Sequence, residues 1–397
     1  MKNGMSAKEL LPLIGIAFSA FVFNTSEFMP IALLVDIAAD FQVSESQAGI
    51  LITAYAWAVC ILSLPLMVFA SRFGFRNLLL GLVALFGTCQ VLSALAPGYW
   101  MLMAARIGVA CAHAVFWSIA SPAAVRVVRV EHQSLALSAI VTGSSVAMIC
   151  GLPLGRVVGL ALGWRMTFLC IAAVSFGVLA YLAVVFPKVP AGERFSVREL
   201  PKLLKNPVLM GVYVVTALMA TAYYTGYSYI EPFLQQIGGF SDGSITAGLS
   251  IFGIAGIAGS ALFARLYTGR RRRFAFLILA LCGITASLFL MLPCATGFAF
   301  AAGACVLWGA CATAFNVSLQ SEILKYAPEG AAAVAMSIFS GIFNLGIGGG
   351  SAIGGAVSSG MSISWVGVVG GFIGVAGVAA CAAFLIPSMN KRGVVSK

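Results

Sequence analysis

The sequence predicts an all-α integral membrane protein of twelve transmembrane helices, arranged as two pseudo-symmetric six-helix bundles. Three observations carry this. Of 397 residues, 61% are hydrophobic and 9% are Asp, Glu, Lys or Arg, whereas soluble domains run at about 45 to 50% and about 25%. Apolar runs of about 20 residues, the length that crosses a bilayer, recur along the chain with short connections. One long polar stretch, Pro187 to Asn206, lies near the middle and divides these runs six plus six.

Reading apolar runs between charged or Gly/Pro punctuation places spans 1 to 6 at about 10 to 36, 46 to 70, 76 to 96, 99 to 123, 135 to 158 and 165 to 186. Spans 7 to 12 follow at about 207 to 234, 246 to 267, 274 to 292, 298 to 320, 332 to 357 and 364 to 386. The domains are therefore residues 1–186, a linker at 187–206, and residues 207–397 with a short tail. From Leu10 the first run continues as a full span with no small-residue cleavage site, so it is expected to be retained.

With the N-terminus inside, every Lys and Arg except Arg106, Arg156 and Arg165 falls on the cytoplasmic side. The positive-inside rule then fixes the orientation, with both termini cytoplasmic. The net charge of +11 is spread over short loops, which argues against nucleic-acid binding. The run Arg270 to Arg273 suits topology and anionic lipid contact. Nine of the ten Cys, Cys60 to Cys381, sit inside apolar runs. They read as small buried hydrophobes rather than a disulfide framework or a metal site.

The halves echo one another, as in transporters built from repeats. Span 1 has Glu27 before Pro30, and span 7 has Glu231 before Pro232. Arg72 and Arg76 after span 2 correspond to Arg265 and the Arg270 to Arg273 run after span 8, and spans 5 and 11 are both rich in glycine.

Over the whole chain these residues resemble the major facilitator superfamily. Ser71, Arg72, Gly74 and Arg76 fall in register with its motif after span 2, although Ser71 stands where the family expects Asp. Arg106, in Ala105-Arg106-Ile107-Gly108, resembles the family's buried span-4 arginine. Gly151, Pro153, Gly155 and Arg156 resemble the span-5 motif of its antiporter branch, and Gly163 to Phe168 a common span-6 opening. More narrowly, Asn24 to Phe28, His113 to Ser118 and Tyr227 to Pro232 look like bacterial sugar efflux transporters of the drug-proton antiporter group. The resemblance implies spans 1, 4, 7 and 10 around a cavity, and the inner membrane of a bacterium as the location.

Glu27 lies deep in span 1, where an ionised carboxylate is expensive unless it is paired, protonated or facing water. Arg106 and His113 are seven residues apart on one face of span 4, at depths overlapping that of Glu27. An arginine cannot lose its proton, so Arg106 near Glu27 would hold it ionised, while desolvation pushes it neutral. His113 titrates near physiological pH, and these three residues are the candidate proton-coupling group. A satisfied core histidine and an arginine on carbonyls are the structural alternatives.

Tyr224, Tyr227 and Glu231 share a face of span 7 by three- and four-residue spacing, and rings with hydroxyls suit sugars or amphipathic ligands. An interfacial aromatic belt is the alternative. Asn24, Tyr55, Trp117, Asn316 and Asn344 are further membrane-depth groups, each either lining a cavity or joining helices. Arg156 and Arg165 read better as salt-bridge or headgroup partners than as ligand contacts. There is no Gly-rich phosphate loop, paired metal ligand or intramembrane Asp pair. Neither an enzyme nor a cofactor or metal site is expected.

The expectation is a monomeric, proton-coupled secondary transporter exporting small sugars or amphipathic solutes, with protons, solute and membrane lipid as partners. A proton-coupled importer, a facilitator and a non-transporting receptor are the competing readings. A reporter fused after Lys397, or placed between Pro187 and Asn206, should read cytoplasmic; a periplasmic signal from either position would overturn the twelve-span map.

Overall fold

In hydrocarbon every backbone N–H and C=O must be paired within the protein, which leaves the helix as the form for these apolar runs. The computed structural model describes residues 5–70, 73–188, 203–267, 269–294, 296–328 and 332–395, and helices account for nearly all of them. Ser71 and Arg72 of the motif after span 2, and most of the central polar stretch, lie outside the described residues. The chain divides into two units, Met1–Gln42 with Ala58–Phe195 and Val43–Trp57 with Ser196–Lys397.

The first unit holds α1 (Ala7–Ala32), α2 (Leu34–Phe41), the later part of α3 (Glu45–Ala70), α4 (Phe75–Ala94) and α5 (Tyr99–Arg126). A 3-10 turn at Val130–His132 leads to α6 (Gln133–Val146), a π-helical turn at Ala147–Gly151, α7 (Leu152–Leu162) and α8 (Trp164–Val185). The second unit holds the start of α3, then α9 (Pro207–Tyr227), α10 (Ile230–Gln236), α11 (Asp242–Leu266), α12 (Arg270–Cys294) and α13 (Phe298–Tyr326). It ends with α14 (Ala332–Gly360), α15 (Val366–Ala380), a π turn at Cys381–Leu385 and α16 (Ile386–Val395).

Eleven helical stretches among the described residues are long and apolar enough to cross a membrane. The expected fifth span, 135 to 158, is the one missing from these eleven, and it is divided by a π turn. Pro153 has no amide hydrogen and its ring crowds the carbonyl four residues back, and the helix widens to a π turn just before it. Span 1 likewise ends sooner than expected, at Ala32, with Leu33 out of helical geometry before α2.

Packing repeats between the units. α1 packs on α6 as α9 packs on α14, and α4 packs on α5 and α8 as α12 packs on α13 and α15. Each unit also buries a carboxylate tied to an arginine. Glu9 accepts from the Ser6 amide at 3.0 Å and hydroxyl at 2.9 Å, and from the Arg129 amide at 2.8 Å and Nε at 3.1 Å. Glu322 is held by Arg273, with Nε at 3.1 Å, and by the Tyr267 hydroxyl at 2.6 Å. Ile61, Leu95, Trp100, Val184, Leu279 and Phe372 stay exposed, as outward faces in lipid do.

The start of α3 belongs to the second unit because its small residues lie on the glycine face of α14. Ser46 Oγ donates to the Gly355 carbonyl at 2.8 Å, Thr53 to Gly348 at 3.2 Å, and Ser351 back to Gly49 at 3.2 Å. On the opposite contact of α14, a Cβ at Gly350 would stand 2.4 Å from the Thr221 carbonyl of α9. Gly350→Ala should therefore lower the thermal midpoint of the purified protein, by roughly the 1–3 kcal/mol of an overpacked core. Gly81→Ala, where nothing lies within 4 Å, should leave it unchanged or slightly raised; equal effects would show that α9 and α14 do not approach this closely.

Candidate functional site

The site in the first unit is built on the C-terminal half of α1. Phe23 stacks on Phe86 at 4.0 Å and on Phe116 at 4.3 Å, which fixes α1 against α4 and α5. One turn on, the Glu27 carboxylate lies 3.5 Å from Nε2 of His113, and the two side chains are 9% and 3% exposed. The Trp117 ring, a turn further along α5, stands 6.0 Å from the imidazole. The structure thus brings Glu27 and His113 together inside a membrane-spanning bundle, as their depths predict.

Arg106 joins them differently from the expectation. It is 1% exposed. Its guanidinium donates to Ser26 Oγ and to the Ser26 carbonyl, both at 3.1 Å, and reaches the Glu27 main-chain carbonyl at 3.5 Å. Ser26 Oγ also accepts from Gln90 of α4. The contact with residue 27 is therefore to its backbone, while the carboxylate is met by histidine.

Asn24 donates to Ser144 of α6, so it ties helices together. The motif Gly151, Pro153, Gly155 and Arg156 lays α7 on the end of α1. A Cβ at Gly155 would stand 1.9 Å from the Met29 sulfur, and Arg156, 1% exposed, donates to the Ala32 carbonyl at 3.0 Å. Arg165 pairs with Asp40 and donates to the Ala96 carbonyl at 3.2 Å, the salt-bridge role expected of it.

In the second unit the Tyr224 and Tyr227 rings stand edge to face at 6.0 Å on α9, and Glu231 falls on the next helix. Helix α9 stops at Tyr227, and Ser228 and Tyr229 intervene before α10. Pro232 falls in the first turn of α10, where a missing amide costs no helical bond. Tyr227 also faces Phe252 at 4.9 Å and Trp308 at 5.8 Å, with Tyr223 stacked on it at 4.9 Å. Tyr224 faces Phe343 of α14 at 6.1 Å. Glu231 is 1% exposed and Tyr55 2%.

Asn316 accepts from Gln320 on its own helix, and Asn344 donates to the Ser340 carbonyl at 3.0 Å while its buried Oδ1 has no hydrogen-bond partner among the described residues. A cavity of about 20 Å³ beside Trp308, lined by Phe233, Met291 and Cys305, has room for about one water.

Sequence reasoning missed Ser26, Gln90, Phe252 and Trp308. Gln90 carries a signal, a lone amide deep in span 3, and so does Trp308, an indole well inside span 10. Ser26 is marked only by Pro30 four residues later.

Two solved structures of a bacterial homolog to the human lysosomal transporter Spinster share this fold. The inward-facing, unoccupied one has a TM-score of 0.73 at 16% identity, over 97% of this chain and 94% of that one. The inward-facing, occupied one has a TM-score of 0.70 at 18% identity, over the same shares. The model of the Major Facilitator Superfamily matches residues 16–348. With eleven apolar helices able to cross a membrane, this multi-pass chain belongs to the Major Facilitator Superfamily and is a secondary transporter, not an enzyme.

Proposed function

We propose that the protein exports small sugars or amphipathic, drug-like solutes from the bacterial cytoplasm in exchange for protons, by alternating access, as a monomer in the inner membrane with both termini inside. The observation that carries this is the Glu27 and His113 contact at 3.5 Å, with both side chains almost wholly buried. A carboxylate at this depth is costly as a lone charge and is retained where a proton or a partner relieves it. An imidazole is the partner that itself changes charge near physiological pH. Export, rather than import, rests on the likeness of Gly151 to Arg156 to the antiporter motif. The solute class rests on the tyrosines and tryptophan of the second unit together with Trp117.

One proton crossing about 100 mV supplies about 2.3 kcal/mol, which supports a solute gradient of about fiftyfold at 1.4 kcal/mol per decade. One-for-one exchange is therefore sufficient.

Glu27→Gln, which mimics the neutral carboxyl, should abolish accumulation driven by an imposed pH gradient in proteoliposomes while sparing part of the downhill exchange. Full gradient-driven accumulation would show that Glu27 is not the coupling group. For the solute, a thermal-shift panel of sugars, nucleosides and lipophilic cations should identify a stabilising compound. Its affinity should fall about tenfold or more, the loss of about 1.4 kcal/mol, on replacing Trp117, Tyr224, Tyr227 or Asn344 by Ala. Unchanged affinity in all four would place the solute elsewhere.

A further inference from the structure

Pro30 has no amide hydrogen, so the carbonyl of Ser26, four residues earlier, lacks its ordinary helical donor. In hydrocarbon that acceptor must be answered from another side chain. Arg106 answers it at 3.1 Å, and its second terminal nitrogen binds Ser26 Oγ at 3.1 Å. Gln90 donates to the same hydroxyl oxygen from α4. The guanidinium is thus tied to neutral acceptors of residues 26 and 27, one residue from a carboxylate that His113 meets at 3.5 Å.

We propose that Ser26, together with the carbonyl that Pro30 leaves open, is the positioning element that holds the Arg106 charge on the α1 main chain and so lets the Glu27 carboxyl take up and release its proton against His113. The functional consequence rests on the proton-coupled reading above; the positioning itself does not.

The reason is electrostatic. A guanidinium is always charged and carries five donors, and an opposite charge within about 4–6 Å favours the ionised carboxyl by about 1–3 pH units. Arg106 free to close on the Glu27 carboxylate would hold it ionised and prevent proton uptake. Anchored on Ser26, the cation instead satisfies backbone that must be satisfied anyway. The groups facing this stretch of α1 are Arg106 and His113 from α5, Arg156 from α7, Gln90 from α4, Ser144 from α6 and Phe168 from α8. Arg156 is engaged by the Ala32 carbonyl, Ser144 by Asn24, and Arg106 lies over the Phe168 ring at 5.9 Å.

Three substitutions separate the parts. Ser26→Ala removes the hydroxyl anchor, Ser26→Thr keeps it, and Pro30→Ala returns an amide to the Ser26 carbonyl. The readout is the infrared titration of the Glu27 carboxyl in the purified, membrane-reconstituted protein, with its band identified by loss in Glu27→Gln. The midpoint should move to lower pH by about one unit in Ser26→Ala, move the same way in Pro30→Ala, and stay at the parent value in Ser26→Thr.

Parent-like midpoints in both Ser26→Ala and Pro30→Ala, a shift to higher pH, or the absence of any carboxyl band that Glu27→Gln removes would overturn the proposal. This titration reads the proton on Glu27 and not transport. Full gradient-driven accumulation by Glu27→Gln defeats the coupling reading and leaves the positioning standing, whereas unmoved midpoints defeat the positioning and leave the coupling standing.

Discussion

The first unit depends on how the carbonyls at the C-terminal end of α1 are satisfied. A helix that stops inside hydrocarbon exposes carbonyls with no water to take them, and α1 is interrupted at Pro30 and again at Leu33. Two buried arginines answer: Arg106 takes the carbonyls of Ser26 and Glu27, and Arg156 takes that of Ala32. Arg165 ties the following helix through Asp40. These are the three arginines that the sequence places on the side opposite all its other basic residues. Their positions follow from backbone bookkeeping rather than topology, and they draw α5, α7 and α8 around α1. Once Arg106 is docked, His113, two turns further along α5, stands beside the Glu27 carboxylate.

The two carboxylates of α1 are met by different sets of partners. The chain has two histidines, and each faces one of these acids, His132 at 3.4 Å from Glu9 and His113 at 3.5 Å from Glu27. Glu9 is filled by Ser6 and Arg129 besides, and such charge-assisted bonds lock an ionised carboxylate. At Glu27 the guanidinium hydrogen-bonds to neighbouring backbone, and the imidazole of His113 meets the carboxylate at 3.5 Å. The second unit repeats the packing of the first but not its chemistry: between α9, α11 and α13 it carries stacked Tyr223, Tyr227 and Phe252 with Trp308 at their edges.

Much of this is legible in the chain itself. Composition and span length dictate a membrane-spanning helical protein, because apolar runs of about 20 residues suit helices and lack the alternation of barrel strands. The seven-residue spacing of Arg106 and His113 puts both on one face of a single helix, and an acid at matching depth in span 1 completes the group. Helical periodicity carries that information without any tertiary contact.

Where helices break, and which partner a polar group chooses, was decided by the tertiary structure. Tyr224, Tyr227 and Glu231 match a helical face in sequence; the two tyrosine rings do meet, at 6.0 Å, but Ser228 and Tyr229 end α9 before Glu231, and rings from other helices join each tyrosine. Asn24 chooses Ser144, 120 residues away, and Asn316 chooses its own helix. Ser26 and Gln90 look like ordinary small polar residues until Arg106 is placed between them and the Glu27 backbone. The sequence by itself determined a membrane-spanning helical chain and the helical spacing of its polar groups, since these depend on local hydrophobicity and helical rise. Only the tertiary structure decided that Arg106 binds carbonyls and His113 the carboxylate, because that choice turns on one carbonyl freed by Pro30 and on which helix stands within hydrogen-bond reach of it.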